Sequence, residues 1–146
     1  MDVIELGLPV ADPYLDGSVI RSAYQEVLQS GATPRQMMAM GGEAMRAANA
    51  LGMALVYSQS VQAYGANAFF SDLSTFGYQG VLIPNVRPEE RRAYGDLALA
   101  HGVEMMGFVP ADSHPDEVED IIDHSTGFIY MQGIAGATGQ KITVDE

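Results

Sequence analysis

The chain has 146 residues, 47% of them hydrophobic, which is enough for one ordinary domain with a real core. With 7 basic against 19 acidic residues, its formal charge of -12 argues against nucleic acid or an anionic membrane as a partner. The lack of cysteine excludes disulfides and thiol chemistry and fits a cytoplasmic location, no apolar run reaches the roughly 18 residues that span a bilayer, and the first residues do not read as a signal peptide.

Taken in chain order, an apolar run near 2–8 reads as a buried strand. Its sequence continues as "IELGLPVADPYLDG" (4–17), which sets a glutamate inside the strand and two aspartates in the loop that follows. An uncompensated buried carboxylate is costly, so Glu5 calls for a reason. Amphipathic stretches near 19–30 and 34–51 come next, the second weakened by Gly41 and Gly42, where a break is expected. Strands near 53–58, 80–86, 103–109 and 127–131 then alternate with helices near 66–76, 88–100 and 115–124. Gly31, Gly52, Gly77, Gly102 and Gly127 fall where helices end or strands begin, and Pro34, Pro88 and Pro115 in first helical turns.

This βαβα rhythm implies a parallel sheet with helices packed outside it. An open doubly wound sheet and a closed eight-stranded barrel both fit, and they differ in where polar residues fall. Ile4, Leu6 and Leu8 share one strand face while Val3, Glu5 and Gly7 share the other, which favours a barrel with a polar interior near its mouth. Tyr57 and Tyr130 end the second and fifth strands and are expected to converge with Glu5 on that mouth. The first strand–helix turn lacks the glycine pattern of a dinucleotide fold.

The segment "IELGLPVADPYLDG" resembles the signature of the tryptophan synthase alpha subunit family, roughly I-E-L-G-x-P-[FY]-S-D-P-x-A-D-G-P. "VLIPNVRPEE" (81–90), "AHGV" (100–103) and "GFIYMQGIAGATG" (127–139) resemble further family segments, in the same order and at suitable separations. The resemblance implies a partial (β/α)8 TIM-barrel of about five βα units, a single domain over 1–146 lacking the first unit and the last two. A piece of a longer chain is the expected reading, and a truncated relative the alternative. It also implies a lyase that cleaves indole-3-glycerol phosphate by a retro-aldol reaction. Glu5 matches the family's general acid/base, and Asp16 its second catalytic carboxylate, which accepts from the indole N–H. Tyr57 and Tyr130 match pocket aromatics, while Thr138 and Gly139 match a loop that orients the aspartate and helps hold phosphate. The implied partner is a beta subunit, in an alpha2beta2 complex, that carries pyridoxal phosphate; the chain itself needs no cofactor. A non-catalytic binding or regulatory relative is the alternative function.

Departures from the pattern are Ala11, Leu15 and Ser18 in the first loop, Asn85 and Arg87 in the third, and Gln59 where an asparagine is expected. They bear on loop geometry and on contact with the beta subunit more than on bond cleavage. Asp12, before Pro13, reads as a loop-shaping or partner-contacting residue. Met37, Met38, Met40 and Met45 read as core filling on a helix, and 116–123 as an acidic first turn and solvated helix face. His101, His114 and His124 lack metal-ligand spacing and read as surface residues, so no metal site is expected.

Overall fold

A computed structural model describes residues 2–133. Among these residues five strands, β1 (Val3–Gly7), β2 (Leu51–Leu55), β3 (Gly80–Leu82), β4 (Glu104–Val109) and β5 (Ile129–Met131), form one parallel sheet in the order β1-β2-β3-β4-β5. Each strand pairs with the next in sequence and the order never reverses. A doubly wound sheet requires such a reversal, so this is part of a (β/α) barrel, as the face pattern of the first strand implied. The helices are α1 (Ser18–Gln29), α2 (Pro34–Ala48), α3 (Ser58–Tyr64), α4 (Ala66–Phe76), α5 (Pro88–Ala100) and α6 (Pro115–Asp123).

The core lies between the outer sheet face and the helices. Ala54, Val56, Val81, Ile83, Val103 and Met105 meet Met38, Met45, Phe69, Phe70 and Leu73 there. Leu6 projects into the same layer: its Cδ2 lies against Gly41 of α2, which turns Glu5 and Gly7 to the inner face. Successive strand side chains point to opposite faces. Between α5 and α6 the buried Arg91 guanidinium is paired with the Asp120 carboxylate.

Several expectations are corrected. The glycine pair does not break the second helix, which runs unbroken from Pro34 behind a capping box of Thr33 and Gln36 and ends at Asn49 in the left-handed region (φ 52). The glycines serve close approach instead: a Cβ at Gly42 would lie 2.2 Å from the Phe76 carbonyl oxygen, and one at Gly41 would meet Tyr78 Oη at the same distance. The second strand starts at Leu51 and ends at Leu55, so Tyr57 is the N-cap of α3, a helix that the apolar pattern did not signal. The first strand is not buried. Glu5 is exposed and its neighbours half-covered, because β1 is an outer strand of the described sheet. Met40 is 68% exposed, whereas Met38 and Met45 are buried. The histidines do lie at the surface, His114 exposed and the other two partly covered; His101 Nε2 meets the Asn67 amide oxygen and His124 lies against Asp120.

Candidate active site

The concave inner face holds a cavity of about 330 Å³ at the C-terminal ends of the strands. Its walls are largely apolar, with Leu55, Leu82, Pro84 and Phe108 below and Tyr130 at the side, and Asp16 and Tyr57 supply polar groups at its rim. This is where a barrel places its chemistry, because strand ends and the loops after them converge there. The Phe108 and Tyr130 rings lie with centroids 6.1 Å apart and tilted by 31° to each other, an aromatic wall to the cavity.

Asp16 reaches the rim through the loop after β1. The turn is closed by the Asp16 N–H donating to the Pro13 carbonyl at 3.0 Å, and Arg21 Nε donates to the Asp16 carbonyl at 2.8 Å. Its carboxylate accepts a 2.8 Å bond from the Tyr57 hydroxyl, which itself accepts from the Leu15 N–H at 3.1 Å. One phenol thus ties the β1 loop to the start of α3. Tyr57 is 1% exposed, and burial together with the bond to Asp16 raises its phenol far above the ordinary tyrosine range. The Tyr14 ring stands edge-on to it at 5.5 Å.

Glu5 lies on the inner face of β1, level with Met53 and one layer below Gly7 and Leu55. Although its side chain meets solvent, the surrounding wall removes part of its hydration and raises its carboxyl above the ordinary value. The charges of Glu5 and Asp16 both act on Tyr24 of α1, whose phenol burial and these two carboxylates push up to about 12. Tyr24 Oη reaches the inner-face side of Gly7, where a Cβ would sit 2.5 Å from it.

The structure therefore brings Asp16, Tyr57 and Tyr130 to one cavity, with Glu5 on the same face beneath it. Thr138 and Gly139 lie outside the described residues. Asp12 is exposed. Among the described residues no group of His, Asp and Glu could hold a metal ion. Tyr24 was missed by the sequence reading, since one aromatic on an amphipathic helix gives no sign that it reaches over a strand end. Asn85 and Gln59 were noted only as departures; the fold places them side by side.

The family model "Tryptophan synthase alpha chain" matches residues 1–146. The chain belongs to the tryptophan synthase alpha chain family. It is 32% identical to a tryptophan synthase alpha chain of Thermobifida fusca over 96% of its own length and 52% of the relative's. With that of Bifidobacterium longum it shares 32% identity, over 99% and 50% of the two chains. A Mycobacterium tuberculosis tryptophan synthase structure superposes with a TM-score of 0.87 at 30% identity, over 97% of this chain and 55% of that one. The chain thus spans about half the length of the curated relatives it matches. Within this family, the inner face of the half-barrel is that of a TIM-barrel mouth.

Proposed function

We propose that the protein is a lyase of the tryptophan synthase alpha type, which cleaves indole-3-glycerol phosphate to indole and glyceraldehyde 3-phosphate. The observation that carries this reading is the contrast between two carboxylates on one concave face: Glu5 dehydrated enough to hold a proton more tightly than usual, and Asp16 held at the cavity rim by the Tyr57 hydroxyl. Carboxylates in unlike environments can divide acid and base work. Glu5 delivers a proton to the ring carbon that bears the side chain and takes one from the glycerol hydroxyl. The carbon–carbon bond then breaks as the aldehyde forms, and its electrons return to the ring. Asp16 accepts from the indole N–H and stabilises the positive charge that the ring carries meanwhile. Phe108 and Tyr130 provide a stacking wall for the indole. The reaction calls for no cofactor on this chain, and the indole passes to a partner beta subunit carrying pyridoxal phosphate, in the cytoplasm. Among the described residues no helix is long and apolar enough to cross a membrane.

The test is indole release from indole-3-glycerol phosphate by the protein isolated from its source cells, with and without beta subunit. Glu5→Gln and Asp16→Asn are each expected to lower kcat by about 10²-fold or more. Turnover that both substitutions leave unchanged overturns the assignment, and binding of a beta subunit without any turnover supports a non-catalytic partner instead.

A further inference from the structure

Two of the positions at which the chain departs from the family pattern are bonded to each other. Asn85, in the loop after β3, accepts at Oδ1 from the Ser58 N–H at 2.8 Å, and its Nδ2 donates to Gln59 Oε1 at 2.8 Å. Ser58 is the first residue of α3, and Tyr57, the N-cap, offers the helix no side-chain cap of its own. The first N–H groups of a helix have no partner within it. Here one of them is satisfied from the neighbouring strand's loop, 27 residues away in sequence. The Ser58 amide lies in a buried segment, with Ser58 6% and Tyr57 1% exposed, so water is a poor substitute for Asn85.

The residue so held is the one before Ser58. Tyr57 carries the phenol that bonds Asp16 Oδ2 and the Leu15 N–H. We propose that Asn85, braced by Gln59, is a positioning residue for the site: by capping α3 it fixes the backbone of Tyr57, and through that phenol the Asp16 loop. The paired amides keep the cap acceptor that an aspartate would offer without adding another charge to an acidic chain. The assignment of Asp16 to the reaction rests on the function proposed above, whereas the mechanical linkage stands without it.

Amide hydrogen exchange, followed by NMR in the whole 146-residue chain, separates the two. In Asn85→Ala, loss of protection at Ser58 is a direct effect. The relay is read at Leu15, whose amide should exchange about 10-fold faster or more, while Asn85→Asp, which keeps the acceptor, stays within about 3-fold of the parent. Should Asn85→Ala fail to fold, Asn85→Ser, which also withdraws the acceptor from Ser58, carries the same test. A folded variant that loses Ser58 protection yet leaves Leu15 exchange unchanged overturns the proposal. Leu15 exchange that responds in a protein without lyase activity upholds the linkage and overturns only the function assigned to Asp16. Where turnover is measurable, Asn85→Ala should lower kcat by about 10-fold with KM little changed and Asn85→Asp should restore it; a rise in KM alone would count against positioning of Asp16.

Discussion

Glu5 and Tyr57 show how a side chain's surroundings decide its chemistry. Partial dehydration raises the Glu5 carboxyl, so the folded state binds its proton more tightly than the unfolded chain does. Stability linked to this group is therefore complete below the ordinary carboxylate value of 4.5 and is lost as pH rises through the raised folded value. Glu5→Gln is expected to raise the urea midpoint at pH 7 and to lose that advantage below about pH 4, which a midpoint series across pH will show. Stability and activity then oppose each other at this position. Tyr57→Phe removes the hydroxyl that serves Asp16 and Leu15 and should cost about 1 kcal/mol in urea unfolding, because the rim admits water to the groups left behind. Neither Glu5 nor Asp16 hides its type in the sequence. Their separation, the Tyr57 bond and the nearness of Tyr24 are products of the fold.

The glycine pair in α2 belongs to the scale of elements. Gly42 faces the Phe76 carbonyl at the end of α4, which also accepts from Arg46 of α2 at 3.0 Å. Alanine has the better helix propensity by about 1 kcal/mol. Gly42→Ala should nevertheless destabilise by about 1–3 kcal/mol in chemical denaturation, because the new methyl meets backbone that cannot swing aside. Tyr78 offers the converse case. Among the described residues its buried hydroxyl has no hydrogen-bond partner, and burial pushes its phenol up to about 12. Tyr78→Phe is expected to leave stability unchanged or raise it by up to about 1 kcal/mol, measured in the same way. Helix α3 illustrates what periodicity could not reveal: seven residues are too few to display a full amphipathic stripe, and the cap that starts the helix comes from Asn85. Proline and glycine punctuation marked the other helices well, with Pro34, Pro88 and Pro115 at their first turns and Gly31, Gly77 and Gly102 at positive φ behind α1, α4 and α5.

At the scale of the molecule, the described sheet is open and its inner face is only partly covered. Val3 on β1 is 52% exposed, and Phe128, Tyr130 and Met131 at β5 are 47%, 48% and 72% exposed. Apolar outer strands of a sheet invite pairing between chains. The charge of -12 opposes such pairing by repulsion, which salt screens. Sedimentation of the chain should therefore show more self-association in about 0.5 M salt than in about 0.02 M. Met131→Lys, placing a charge on the β5 edge, should reduce association at both. Association that falls as salt rises would mean that ion pairs, rather than the apolar edge, join the chains.

The sequence by itself determined the alternation of strands and helices, the polar inner face of the first strand and the family, because these depend on local spacing and on short segments in a fixed order. It also supplied both carboxylates. Only the tertiary structure decided that Gly41 and Gly42 are contact points rather than a break, that Tyr57 stands at the N-cap position of a helix and holds Asp16, and that Asn85 and Gln59 meet. Each of these depends on groups 26 to 42 residues apart brought together by strand pairing and by the packing of helices on the sheet and on each other. Hydrophobic periodicity records which side of an element is buried, whereas these contacts are set by how closely two elements approach, a distance that no single segment encodes.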